Sequence, residues 1–296
     1  MKKEQKYSIV RDNIGFYVLV YLIAAVAFIV TLYPFLYIIA VSLSDSQAVY
    51  TGKVFLFPVD FTLNGYAQVF KQSSLWIAYG NTIFYTVVGT ALNIVVTLMG
   101  AYPLSKRRFF ARKALNFCVA FTMYFSAGMI PTYLVVMRLG LYNTRWAMLL
   151  PSLIGTYNLM VCRSAFTAIP EELAESAEID GANDVQFFLK IAVWLVMPTV
   201  AVLVLYYAVA HWNSYMPALL YLSKDKLMPV QVLLRRVLIQ ASDEFVEANI
   251  DTSDREATSL QIRYVTIVVA TLPVLVIYPF IQRYFVKGVM LGAVKG

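Results

Sequence analysis

The chain has 296 residues, of which 60% are apolar and only 14% charged, whereas a water-soluble domain carries about a quarter charged residues. That balance excludes a water-soluble globule. The net charge of +7 would suit a nucleic-acid partner if the cations formed one patch, but they sit in short clusters beside apolar runs, where they report membrane topology instead.

Runs of roughly 20 apolar residues match the ~30 Å hydrocarbon core of a bilayer. Six segments qualify: 14–41, 77–104, 114–137, 146–163, 188–212 and 264–285. Lipid offers no partner to backbone N–H and C=O groups, so continuous spans of this length are helices. The prediction is an all-α integral membrane protein with six transmembrane helices. Residues 1–13 carry Lys2, Lys3, Lys6 and Arg11, and SKRRFFARK (Ser105 to Lys113) places five more cations between the second and third spans. The loop after the third span has only Arg138 and Arg145, while Arg283 at the end of the last span and Lys287 and Lys295 beyond it carry the C-terminal positive charge. The positive-inside rule then gives a cytoplasmic N-terminal segment, 1–13, and an N-in, C-in topology. The first apolar run far exceeds the ~7–15 residues of a signal peptide and lacks a small-residue cleavage site, so it reads as a retained helix. Cys118 and Cys162 fall within spans and read as small packing residues. With no Ser/Gly-rich linker, 14–296 reads as a single transmembrane domain.

Polar pieces interrupt the spans. Residues 42–76 contain Gly52, Pro58, Gly65 and several aromatics, the composition of a compact surface loop. Residues 164–187 form a cytoplasmic hairpin. The external loop, about 213–263, is the longest. In it Val230, Leu233, Leu234, Val237 and Leu238 recur at helical spacing after Pro229, predicting an amphipathic helix on the outer membrane surface or against a partner subunit. Asp243, Glu244, Glu247, Asp251, Asp254 and Glu256 follow as an acidic stretch. Their spacing is not that of a calcium-binding loop, and a solvated segment is the plainer reading.

The hairpin carries sharper signals. Pro170 suits the first turn of a helix, Glu171 and Glu172 complement the positive end of its dipole, and Gly181 after Asp180 suits a C-terminal cap. Asn183 or Asp184 then caps a second helix running into the fifth span. Leu173, Ala174 and Ala177 give an apolar, small-residued strip suited to insertion in another protein's groove. On periodicity alone, a membrane-surface helix with no partner fits equally well.

The order Glu175-Ser176-Ala177, three residues, Gly181, nine residues, Ile191, then Pro198 resembles the EAA loop of permease subunits in ATP-binding-cassette (ABC) importers. Ser176 replaces the middle Ala of that motif, and Trp194 stands where carbohydrate permeases often have the first Pro, which leaves the bend of the fifth span open. IPEEL and IDGA in the hairpin, HWNSYMPALLYL after the fifth span and the tail RYFVKGVMLGAVKG are similar to the carbohydrate-uptake branch, in particular to the smaller maltose-type permease. The resemblance implies a type I importer permease fold with a cytoplasmic coupling helix, and it places the ATPase-coupling residues at Leu173, Ala174, Glu175, Ser176, Ala177, Asp180 and Gly181. It implies a second homologous permease, an ABC ATPase dimer, an extracytoplasmic solute-binding protein and a bacterial-type cytoplasmic membrane. ATP and Mg would be held by the ATPase, since no P-loop pattern occurs in this chain. No catalytic residue, metal site or cofactor is expected of the permease itself.

Polar groups in spans usually face the bundle interior or a water-filled cavity. Asn81, Asn93, Thr122, Ser126 and Asn158 are the candidates, and interhelical hydrogen bonding is an ordinary alternative role for each. Tyr124, Tyr133, Tyr157, Trp212 and Tyr215 lie near polar or Pro positions, and with Asn213 they offer faces on which a sugar ring would stack. Lys190 reads as a snorkelling residue, and His211, lone and without Cys or acidic neighbours, as a hydrogen-bonding one. Rival functions are an importer for a non-sugar solute, a membrane-embedded enzyme using the acidic outer loop, and an autonomous channel. The enzyme would need paired carboxylates or a metal set, and the channel leaves the hairpin unexplained.

Overall fold

The computed structural model describes residues 14–239 and 252–293. Its helices, in chain order, are α1 (Ile14–Ser42), α2 (Ser46–Tyr50), α3 (Asn64–Lys71), α4 (Ser73–Ser105), α5 (Arg112–Tyr124), α6 (Met129–Arg138), α7 (Trp146–Leu149), α8 (Thr156–Thr167), α9 (Glu171–Ile179) and α10 (Asp184–Phe187). A π-helical stretch (Phe188–Ala192) follows, then α11 (Val193–Leu195), α12 (Met197–Trp212), α13 (Met216–Tyr221), a 3-10 turn (Asp225–Leu227), α14 (Val230–Ile239) and α15 (Thr252–Ala293). No strand occurs among the described residues. Among the described residues, three helices are long and apolar enough to cross a membrane: Gly15–Ser42, Ser73–Ser105 and Asp254–Val276. Two more candidates are bent pairs, α5 with α6 at 118° and the Asp184–Leu195 segment with α12 at 78°.

The chain divides into two compact units. One comprises the described residues of Met1–Gln72 and Arg236–Thr271. In it α1 exposes apolar side chains from Phe16 to Leu36, as a lipid-facing helix does, and buries only its end, where Ala40 and Val41 meet Ala48 and Val54 with Tyr264 packed alongside. Asp45 caps α2 by accepting the Gln47 N–H at 2.9 Å, and Gln261 donates to the Ser44 carbonyl at 2.6 Å. Gly65 permits α3 to lie against α15, since a Cβ there would sit 3.0 Å from Val265.

The other unit comprises Ser73–Arg235 with the remainder of α15, and its core is built around α4, α8 and α12. Ala101, Leu104, Leu159, Cys162, Phe166, Ala192, Val200, Leu203 and Tyr207 form the buried cluster, and Ala177 and Phe187 of the hairpin belong to it.

The expected spans are corrected in four places, one being 188–212, which is not one helix but bends by 78° between Leu195 and Met197. The segment 146–163 is not one helix: it breaks between α7 and α8, and the 12 residues of α8 extend only ~18 Å, short of the ~30 Å core. The segment 114–137 folds back on itself at Phe125–Gly128, where Gly128 adopts φ 83°, open to Gly but costly for other residues. The final helix starts at Thr252, twelve residues before the expected span start at 264, so Asp254 and Glu256 are helical and bond Gln47 and Tyr50. Asp243, Glu244, Glu247 and Asp251 lie outside the described residues. Cys162 is buried as expected, whereas Cys118 is on an exposed helix face. The predicted amphipathic helix is α14, but Val230, Val232 and Leu233 are buried within the chain instead of facing a membrane or partner.

Candidate functional site

The hairpin is closed by local chemistry at each end. Pro170 occupies the N-cap with ψ 137°, one position earlier than expected, so the helix begins at Glu171. At the other end Gly181 takes φ 84°. Its N–H bonds the Glu178 carbonyl at 3.0 Å and that of Ala182 bonds Ala177 at 2.8 Å, the paired bonds of a Schellman cap. Asn183 and Gln186 then form a reciprocal capping box at 2.8 and 3.0 Å, which starts α10. From α10 the chain continues through the π-helical stretch and bends where Pro198, lacking an N–H, opens α12.

The coupling candidates separate by exposure. Leu173, Glu175, Ser176, Asp180 and Gly181 are exposed; Ala174 is half-buried and Ala177 buried. Ala174 and Ala177 of the strip expected to enter a partner's groove therefore face the chain's own core, where Ala177 shares a buried cluster with Ala101 and Leu104, while Leu173 stays exposed. Ile179, absent from the sequence prediction, is instead 86% exposed. With Leu173 and Ser176 it forms a line at i, i+3 and i+6 that would have been readable as a second face.

The basic loop lies beside the hairpin. Arg107 Nε is 3.3 Å from a Glu171 carboxylate oxygen and Arg108 Nη1 is 3.2 Å from Glu178. Lys106 Nζ lies 5.0 Å from the Tyr102 ring centroid and 4.7 Å from that of Phe187. Burial lowers the Lys106 pKa from its ordinary value, with Arg108 adding to the fall and Asp184 and Glu171 opposing it. A cleft of about 360 Å³ opens between loop and hairpin.

Within the spans, polar side chains mostly seal broken backbone. Asn93 Nδ2 donates to the Ser152 and Leu153 carbonyls at 2.7 and 2.8 Å, between α7 and α8 where no helix satisfies them, and the Gly155 N–H donates to the Tyr207 hydroxyl at 3.1 Å. Irregular backbone at membrane depth survives only when buried and paired in this way. Since both Asn93 amide hydrogens meet carbonyls, its Oδ1 must accept from His211 Nε2, 2.6 Å away. Gly89 makes room for that ring. Tyr207, which the sequence reading missed, also bonds Thr97 at 2.8 Å. Nearer the end of α4, Asn81 donates to the Lys226 and Met228 carbonyls at 2.8 and 3.2 Å, and Tyr85 donates to Leu227 at 2.9 Å.

Asn81 and Asn93 thus bond backbone carbonyls, the ordinary alternative to a place in the pathway. Tyr124 is exposed and Ser126 accepts the Gly128 N–H at the α5–α6 bend. Thr122 bonds Val119 of its own helix, Tyr133 stacks with Tyr221, and Tyr157 is exposed away from the cavity. Trp212 is buried. Asn158, Asn213 and Tyr215 do come together, lining a cavity of about 550 Å³ with Ser152, Tyr207 and His211. Asn and Ser amide and hydroxyl groups beside a Tyr face suit a polyhydroxylated solute.

Broken spans sealed by side chains, a cavity at the break and a capped polar hairpin at the helix ends are the parts of a membrane transport subunit. Residues 93–291 match the family described as binding-protein-dependent transport system inner membrane component, and the chain belongs to it. It is 43% identical over 263 residues to the polygalacturonan/rhamnogalacturonan transport system permease protein YtcP of Bacillus subtilis (strain 168), covering 89% of this chain and 92% of that one. Protein LplC of the same organism is likewise 43% identical over 268 residues, 90% of each chain. Among solved structures, a chain of a bacterial ABC transporter involved in the import of the acidic polysaccharide alginate superposes with a TM-score of 0.85 at 33% identity, covering 93% of this chain and 98% of that one. The fold is that of a type I ABC importer permease.

Proposed function

We propose that this chain is the transmembrane permease subunit of a binding-protein-dependent ABC importer in a bacterial-type cytoplasmic membrane. It forms half of a pathway for an oligosaccharide, with uronate-containing chains the favoured class. Its spans would number six, N-in and C-in, with α5–α6, α7–α8 and α10–α12 as broken members. A second permease would complete the pathway, a solute-binding protein would deliver cargo outside, and an ATPase dimer carrying ATP and Mg would dock inside. The names of YtcP and of the alginate importer support the cargo class, since galacturonan and alginate are both uronate polymers.

The observation that carries the reading is the hairpin, a capped helix with its small residues anchored in the core and Leu173, Glu175, Ser176, Ile179 and Asp180 left outward. Such a helix transmits force because it is fixed on one side and free on the other. In the proposed cycle, ATPase closure presses this face, and Ala174 and Ala177 hold the helix to the membrane core as it moves. Asn158, Asn213 and Tyr215 would contact cargo.

The test is co-expression with the neighbouring transporter genes, followed by purification through this chain. The unaltered chain should recover an ATPase and a second permease, and Ile179→Asp should lose the ATPase while retaining the permease. Purification of the unaltered chain alone would overturn the proposal.

A further inference from the structure

The cations of Lys106 to Arg108 are accounted for by topology, which requires positive charge here but no particular contacts. Their contacts are nonetheless specific. Adjacent arginines reach opposite ends of α9: Arg107 pairs with Glu171, its first residue, and Arg108 with Glu178, its last but one. Lys106 lies over Tyr102 of α4 and Phe187 of α10, so it ties the end of the long span to the helix after the hairpin. Between these points Ala177 and Phe187 share a buried cluster with Ala101 and Leu104 of α4. Loop, hairpin and span end are therefore joined by two ion pairs and one cation lodged between rings, beside a shared buried cluster. The same α4 carries Gly89 and Asn93 to His211 at the cavity.

We infer that Lys106, Arg107 and Arg108 form a strap that makes α9 and α4 move as one body, so that they are positioning residues for ATPase coupling. The inference rests on the proposed coupling role of the hairpin. The strap acts on the hairpin and not on the ATPase, which is what distinguishes it from a docking surface. An exposed ion pair by itself is weak, and two such pairs with the lodged lysine are enough to bias a helix, not to fold it.

The experiment compares three full-length chains in the complete transporter: unaltered, R107E/R108E, and the charge swap R107E/R108E/E171R/E178R. Amide hydrogen exchange across Glu172–Ile179 reports the strap without any cargo. Loss of the two pairs should speed exchange about fivefold, and the swap should return it close to the unaltered rate. ATP-driven uptake of galacturonate oligosaccharides should fall in R107E/R108E with the ATPase still recovered, and return in the swap. Unchanged exchange in R107E/R108E, or a swap no better than the double variant, overturns the inference while leaving the coupling reading intact. Failure of the unaltered chain to recover an ATPase overturns both. Lys106→Met keeps the apolar stem and should slow nothing but the coupled uptake; full uptake in it would remove Lys106 from the strap.

Discussion

Gly89→Ala tests the packing of α4 on α12 because two ordinary expectations oppose each other there. In the middle of a helix, Ala is preferred over Gly by about 1 kcal/mol, so local propensity predicts stabilisation. A Cβ at position 89, however, would lie 2.5 Å from His211 Nε2, 2.6 Å from Cε1 and 2.9 Å from Cδ2. The ring has little freedom to retreat, since it is buried and bonded to Asn93 at 2.6 Å. Overpacking of this kind costs about 1–3 kcal/mol, and breaking a membrane-buried hydrogen bond a further ~0.6–1.7 kcal/mol. Set against the propensity gain, the net loss is about 1–3 kcal/mol. Thermal unfolding of the purified chain in detergent measures it, with His211→Ala and the double variant completing a cycle. Removing the ring should make Gly89→Ala nearly neutral or stabilising, a coupling of at least ~1 kcal/mol between the two sites. A Gly89→Ala chain as stable as the unaltered one would refute the packing.

Further outcomes follow from the same contacts. Asn93→Leu leaves the Ser152 and Leu153 carbonyls and the His211 Nε2 without partners, and should destabilise by about 2–5 kcal/mol in the same melt. Gly181→Ala forces an L-residue to φ 84°, a local cost of about 1–2 kcal/mol visible as faster exchange at the hairpin and weaker ATPase recovery. Asn158→Ala and Tyr215→Ala border the cavity, and each should lower oligosaccharide uptake by about tenfold at unchanged protein abundance.

What was legible in the sequence was local. Gly181 and the Asn183 box are decided by residues within three or four positions, so cap chemistry read along the chain agrees with the structure. Helical periodicity likewise grouped Ala174 with Ala177, but it reports which residues share a face and not what that face meets. Of the coupling candidates, Leu173, Glu175, Ser176, Asp180 and Gly181 lie outward while Ala174 and Ala177 turn inward, and Ile179 was overlooked. Asn93 illustrates the other limit. A polar residue in a span signals an interior position, yet its partners lie 59 and 60 residues away at a helix break, and that break was itself hidden inside a continuous apolar run. The bend at Phe125–Gly128 was concealed for the same reason, since lipid-facing composition is unaffected by a change of direction. Asn158, Asn213 and Tyr215 line one cavity, but composition alone did not separate them from Tyr124 or Tyr157 among the pathway candidates.

The central claim is that the outward face of α9 meets an ATPase on the cytoplasmic side. A photocrosslinking amino acid placed at Ile179, which is 86% exposed, tests it within the assembled transporter in native membranes. The account predicts a cross-link to the ATPase subunit whose yield changes when the nucleotide state is trapped with ATP and vanadate. A cross-link to the solute-binding protein, or to lipid alone in every nucleotide state, would contradict it.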